Sequence, residues 1–317
     1  MKHVFCFGET LIDFLCTDQK KDGALVLNQF TQFPGGAPAN TAVAVAKLGG
    51  KSSFIGQVGN DPFGFFLINS LEIFGVDTRF IVTHPTAKTP LAFVFLDEKG
   101  ERSFSFHRQN TADILFEETQ IKNNWFSEHS IIHFCSNTLT DKHIANVTST
   151  LVNAGHKANS FISFDVNLRH NLWQSGCADV NLINNFVKRA HLVKFSREEL
   201  KYLSNQDEDG YFKTCFSSGV QVILVTNGSQ TISIHSESRM TEIEPPSVVA
   251  IDTTGGGDAF IGAVLFGLSQ KEDPFNFCCN LDELKPIVQS AAKCGAITVT
   301  RHGAFPAFPT LKEVLGQ

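Results

Sequence analysis

Nowhere does this 317-residue chain gather its basic residues: 26 Lys and Arg are dispersed among 32 Asp and Glu, for a formal net charge of −6. A nucleic-acid groove or an anionic membrane surface needs a cationic stripe, so neither is expected as a partner. No apolar run approaches the ~20 residues of a membrane helix. Glu9 and Asp13 interrupt the apolar start before it could serve as a signal peptide. The eight cysteines include no CxxC pair, and five lie in or beside apolar runs, where a free thiol behaves as a small hydrophobe. A reducing, cytoplasmic setting is therefore expected.

Several nucleotide and hydrolase signatures are also missing. Gly50-Lys51-Ser52 imitates the tail of a P-loop, but Val45 stands where its first glycine belongs, and Phe260 fills the last glycine position of a G-x-G-x-x-G started at Gly255. There is no H-E-x-x-H, EF-hand loop or G-x-S-x-G elbow. No 20–50-residue repeat, low-complexity tract or Pro- or Ser-rich linker divides the chain, which is expected to form a single domain over 1–317.

Hydrophobic residues make up 42% and charged residues 18%, enough apolar material for a large core. Short β-branched or aromatic runs at 4–7, 131–135, 161–164, 192–195 and 222–226 are separated by stretches long enough for crossover helices. That alternation predicts an α/β fold with a mainly parallel sheet covered on both faces. Two regions, 15–33 and 89–107, break the rhythm. In the second, alternating runs flank Asp97-Glu98-Lys99-Gly100, which reads as a hairpin turn. These pieces are expected to form a small antiparallel sheet, a lid that closes on a ligand or pairs with a second copy in a homodimer.

The most informative stretch is Asp252-Thr253-Thr254-Gly255-Gly256-Gly257-Asp258, followed by an apolar run that reads as a buried helix. Three glycines let the backbone turn sharply, and the first helical turn leaves N–H groups free for an anion such as phosphate. Asp258 is ill suited to phosphate binding alone. It suits a site where a hydroxyl surrenders its proton while attacking phosphorus. On this stretch alone, the alternative that Asp258 is a helix-start acid stays open. A second glycine turn, Gly35-Gly36 in Pro34-Gly35-Gly36-Ala37-Pro38-Ala39-Asn40, precedes an Ala/Val-rich helix, and Asn40 offers both donor and acceptor to a sugar hydroxyl. Packing alone would explain that turn equally well.

Together the two segments resemble the signatures of the ribokinase-like (PfkB) carbohydrate kinases, an early G-G-x-x-x-N and a late D-T-x-G-x-G-D. The likeness runs from Gly8-Glu9-Thr10-Leu11-Ile12-Asp13 to Thr300-Arg301-His302-Gly303-Ala304. It implies a three-layer α/β/α sandwich with a small β-lid, ATP with Mg2+ as phosphoryl donor, and a sugar held between lid and sheet. Matched position by position, Asp258 resembles the family's catalytic base, and Gly255, Gly256 and Gly257 its anion hole. Gly256 replaces an alanine common in the family. Asp13, Gly35, Gly36 and Asn40 match sugar-contacting positions. Ser196-Arg197-Glu198-Glu199 stands in for N-x-x-E, which gives Glu199 a role in ordering water round Mg2+, with a solvated helix-start acid as the alternative. Thr226, Asn227 and Gly228 fall in a V-T-x-G nucleotide segment.

Some relatives hold a monovalent cation, which the resemblance would put near Asp252, Thr254 and 301–304, so that K+ stays open here. The words around Glu9, Ala37 and Asn167 are most similar to fructokinases, and fructose to fructose 6-phosphate is the lead reaction. Arg108 and Arg169 match cationic positions shared with aminoimidazole riboside and 2-keto-3-deoxygluconate kinases, which remain alternatives. A non-catalytic sugar sensor on the same fold is the contrasting class. Such a sensor would be recognised by loss of the base or of a glycine of the turn, and this chain keeps both.

Overall fold

The computed structural model describes residues 1–96, 102–122 and 124–317; the turn expected at 97–100 lies outside them. In chain order the strands are β1 His3–Phe7, β2 Leu11–Asp22, β3 Leu25–Gly35, β4 Lys51–Gly59, β5 Asp77–His84, β6 Leu91–Leu96, β7 Arg102–His107, β8 Ile131–Cys135, β9 Phe161–Asp165, β10 Leu192–Ser196, β11 Val222–Asn227, β12 Gln230–His235 and β13 Met240–Ile243. The helices that frame the site are α1 Ala37–Lys47, α2 Pro62–Ile73, α3 Lys142–Lys157, α4 Val180–Val187, α5 Arg197–Ser204, α6 Glu208–Ser217 and α7 Gly256–Ser269, followed by α8 Pro274–Cys278, α9 Leu281–Thr298 and α10 Leu311–Leu315.

Nine strands make the main sheet in the order β13-β12-β11-β10-β9-β8-β1-β4-β5. Pairing is parallel from β5 through β11, because crossovers, most of them carrying a helix, return each strand in the same direction; β12 and β13 join by tight turns and run antiparallel. All five strands expected from apolar runs are present. β4 escaped that reading because Ser52, Ser53 and Gln57 interrupt its apolar pattern, yet all three are buried. Gly50-Lys51-Ser52, the false P-loop tail, is simply the entry to this strand.

Side-chain alternation divides the core. Val4, Cys6, Ile131, Phe161, Leu192 and Leu224 face α1, α7 and α9, while Phe5, Phe7, Ile132, Ile162, Val193 and Ile223 face α3 and α4. The second sheet runs β3-β2-β6-β7. Its two hairpins are antiparallel, and they meet through a parallel pair, β2 with β6. Its base is anchored where Ile12, Val58 and Leu67 cluster with Phe14, Phe63 and Leu91 over α2. Its far end, at Leu25 and Val26, is exposed. Among the described residues, no helix is long and apolar enough to cross a membrane.

Candidate active site

Gly255 closes the turn before α7 with φ +74°, a conformation natural to glycine, and the helix starts at Gly256. Asp258 therefore lies in the first turn, over the carboxyl ends of the parallel strands, where open α/β sheets bind ligands. Helices α1 and α7 cross closely because position 262 is glycine: a Cβ there would lie 2.6 Å from that of Ala44. The close crossing brings Asn40 Nδ2 to donate to Asp258 Oδ2 at 2.8 Å. Asp258 is only 9% exposed. Burial raises its pKa, held in check by the Asn40 hydrogen bond and the charges of Lys194 and Arg169. Gly255 and Gly257 line the cavity beside it. Gly256 faces away, and a Cβ there would come within 2.8 Å of Val299 Cγ1.

Asp13 enters from β2, whose partner strand β3 ends at Gly35. A Cβ at Gly35 would fall on Asp13 Oδ2, and one at Gly36, where φ is +103°, would lie 2.5 Å from the Glu9 carbonyl oxygen. The two glycines thus give Asp13 and Glu9 their room. Burial lifts the Asp13 pKa to about 7, helped by the like charges of Asp258, Asp252 and Glu9 and opposed by Arg169. Glu9, buried at the cavity wall, accepts from Ala37 N at 3.3 Å and from Asn137 Nδ2 at 2.9 Å. Arg108 stands behind this wall and does not line the cavity. Its Nε donates to Asp113, its Nη1 donates to Asn137 O at 3.0 Å, and its Nη2 lies 4.0 Å from Glu9 Oε2.

The far wall comes from β9 and β10. Asp165, the last residue of β9, and Lys194, midway along β10, are register partners, with Lys194 Nζ 3.0 Å from Oδ1 and 3.2 Å from Oδ2. Burial raises the Asp165 carboxyl to about 7, against the pull of Lys194. Asn167, at φ +38°, and Arg169 line the same space from the loop that follows. Glu199 caps α5 and does not line the cavity. Its Oε2 accepts from Ser196 N at 2.7 Å and its Oε1 from Leu168 N at 2.8 Å, so it shapes the Asn167–Arg169 loop. Thr226, Asn227 and Gly228 lie beyond the cavity, at the end of β11. Asp252 Oδ1 accepts from Thr254 N at 2.8 Å and Oδ2 from Gly303 N at 3.0 Å, tying the turn to the C-terminal loop.

The cavity, about 400 Å³, brings together Glu9, Asp13, Asn40, Asn137, Asp165, Arg169, Lys194 and Asp258. Sequence reading did not assign roles to Glu9, Asn137, Asp165 or Lys194, whose places depend on tertiary contacts. Among the described residues, Glu9 Oε2, Asn40 Oδ1 and Asn137 Oδ1 are buried acceptors without a protein hydrogen-bond partner. A ligand rich in O–H donors is the natural complement.

Residues 1–311 match the family described as pfkB family carbohydrate kinase. The chain is 35% identical over 320 residues to the fructokinase of Vibrio alginolyticus, covering 99% of this chain and 98% of the relative. It is 35% identical over 315 residues to the probable chloroplastic fructokinase-6 of Arabidopsis thaliana, covering 98% and 81%. In structure it is similar to the ATP-bound fructokinase of Xylella fastidiosa, with TM-score 0.92, 39% identity, and 99% and 97% coverage. It is also similar to the fructokinase of Vibrio cholerae O395 with fructose, ADP and calcium bound, with TM-score 0.87, 32% identity, and 100% and 98% coverage.

Proposed function

This chain belongs to the pfkB family of carbohydrate kinases, and we propose that it moves the γ-phosphoryl group of ATP to fructose, giving fructose 6-phosphate and ADP. The observation that carries the reading is the buried Asp258 carboxylate, held by Asn40 beside a glycine turn and facing buried acceptors that lack a hydrogen-bond donor among the described residues. Those acceptors receive sugar hydroxyls, and Asp13, also a carboxylate, takes one or two more. With Oδ2 occupied by Asn40, Asp258 Oδ1 takes the proton of the accepting hydroxyl. That oxygen bonds phosphorus as the bond to the ADP oxygen breaks. The N–H groups of Gly255 and Gly257 receive the phosphoryl oxygens.

Bound with the nucleotide, Mg2+ would supply neutralisation of the charge between its phosphates. Among the described residues no group of three or more His, Cys, Asp or Glu is placed to hold a metal. Glu199, fixed at the start of α5 beside the Asn167–Arg169 loop, would order water around that ion. Asp252 arranges carbonyls of its turn and of the C-terminal loop, a fitting surround for K+. Thr226, Asn227 and Gly228 receive the rest of the nucleotide at the end of β11. The β2/β3 hairpin closes over the sugar, and its exposed apolar tip offers a contact to a second copy of the chain.

A panel of sugars with Mg·ATP, read by ADP release, tests the assignment. Fructose is expected to give the highest kcat/KM. Sugar binding without ADP release for any sugar would make the protein a sensor, and preference for aminoimidazole riboside or 2-keto-3-deoxygluconate would move it to those kinases.

A further inference from the structure

We propose that Lys194 is the side-chain cation that receives the transferring phosphoryl group, and that Asp165 is the positioning residue that aims it; this rests on the kinase reading above.

Lys194 is the third residue of β10 and shares its face with Leu192, which is buried in the core against α7. Two pleats along a parallel strand, that face emerges at the sheet's carboxyl edge, under the first turn of α7. Lys194 is 6% exposed and lines the cavity. It lies against the glycine turn: a Cβ at Gly257 would be 3.3 Å from Nζ. Gly257 thus does more than bend the chain, because a side chain there would wedge between the lysine and the helix start.

Charge balance gives this ammonium its task. Among the described residues, Glu9, Asp13, Asp165 and Asp258 line the cavity against Lys194 and Arg169, so an entering phosphoryl group meets an excess of carboxylates. Arg169 Nη1 donates to Leu168 O at 2.9 Å, and the residue is exposed, whereas Lys194 is buried and beside the turn. An ammonium carries three donors. Asp165 Oδ2 accepts one of them at 3.2 Å, and the pair is further fixed by strand register. The remaining donors suit nonbridging oxygens above Gly257. During transfer Lys194 keeps its protons: the accepting hydroxyl's proton goes to Asp258, the new O–P bond forms, and the electron pair of the broken P–O bond leaves with ADP. A buried ion pair kept only to join two strands is weak at stabilising a fold, since apolar residues of similar size do that as well. Lys194 and Asp165 have a use that apolar residues could not supply.

The test compares Lys194→Met, Lys194→Arg and the double variant Lys194→Met/Asp165→Asn, which removes the uncompensated buried charge and guards against misfolding. For each, kcat, the KM for fructose, calorimetric fructose binding, melting temperature, and affinity for ADP with aluminium fluoride in the presence of fructose are measured. Both Met variants should lose ~10²–10³-fold in kcat and a similar factor in affinity for the aluminium fluoride complex, with fructose binding within about threefold of wild type. Lys194→Arg, which keeps the charge but displaces it, should fold normally and recover only part of kcat. A folded double variant, or Lys194→Arg, with kcat and aluminium fluoride affinity within about threefold of wild type would reduce the pair to a strand tie and overturn the proposal. Failure of the kinase reading is distinguishable because it appears in the wild-type protein, as no ADP release with any sugar.

Discussion

Asn40 and Asp258, 218 positions apart in the chain, share a 2.8 Å hydrogen bond in which the amide donates to the carboxylate. The bond orients the carboxylate and leaves its other oxygen for a hydroxyl. Asp258→Asn should therefore lower kcat by ~10²–10⁴-fold, the usual range for a general base, while fructose and ATP binding stay nearly intact. Rapid-quench turnover alongside calorimetry checks this, and retention of most turnover would remove Asp258 from its role.

The raised pKa values of Asp13 and Asp258 set a pH dependence. Both act as carboxylates, so kcat/KM for fructose should fall as pH drops, with the acid limb lying above the ordinary carboxylate range and Asp13 titrating near pH 7. A limb confined to pH ~4, where free carboxylates titrate, would contradict the burial argument.

Stability should move the other way. Between the ordinary Asp value and about 7, folded Asp13 binds more proton than it does in the unfolded chain, so its contribution declines as pH rises through that window. Asp13→Asn, which removes the disfavoured charge, should raise the melting temperature of the ligand-free protein at pH ~8, above the shifted value. It should also weaken fructose binding by ~1.5–3 kcal/mol, as expected on losing hydrogen bonds to a charged group. Calorimetric melts and titrations on one sample measure both effects. An unchanged melt with full fructose affinity would place Asp13 outside the sugar site.

Arg108 reaches Asp113, Asn137 and Glu9 from behind the cavity wall. Arg108→Ala strands two buried carboxylates and should cost about 3–5 kcal/mol of stability, the usual result of halving a buried pair. A rise in fructose KM should accompany it as the Glu9 wall loosens. Urea melts measure the first, and an increase in KM with unchanged stability would mean that Arg108 contacts the sugar itself.

Gly256 stands where an alanine methyl would press on Val299. Gly256→Ala should cost ~1–3 kcal/mol, as overpacking does, and Gly256→Ala/Val299→Ala should recover most of it. Comparing the two melts decides whether the turn tolerates alanine in this chain.

Hydrogen exchange tests the lid. Residues 15–33 should gain protection on saturation with fructose, because the hairpin β2/β3 is anchored to the main body at its base and exposed at its tip. Unchanged protection would leave the hairpin as a fixed wall or a dimer contact.

The parts of the site built from adjacent residues were legible in the sequence. Three glycines ahead of an apolar helix announce a turn with free N–H groups, and Asp258 follows directly. β4 was not legible, because its buried Ser52, Ser53 and Gln57 break the pattern that marks a strand. Glu199 illustrates the converse: local spacing gives its place at a helix start, but only the folded chain brings its two oxygens to the N–H groups of Ser196 and Leu168. A short local pattern does not reveal which distant backbone will come to meet a side chain.

Sequence by itself determined the strands that carry unbroken apolar runs and the backbone freedom of the glycine turns, because periodicity and glycine content act over a few residues. Tertiary structure decided which charges face one another. Lys194 meets Asp165 because β10 pairs with β9 in one register, and a shift of one residue would turn the ammonium to the opposite face. Asn40 meets Asp258 because Gly262 lets α7 approach Ala44 on α1. Both juxtapositions depend on the packing of whole layers, and the Coulomb and desolvation energies that tune the site arise only after those layers have met.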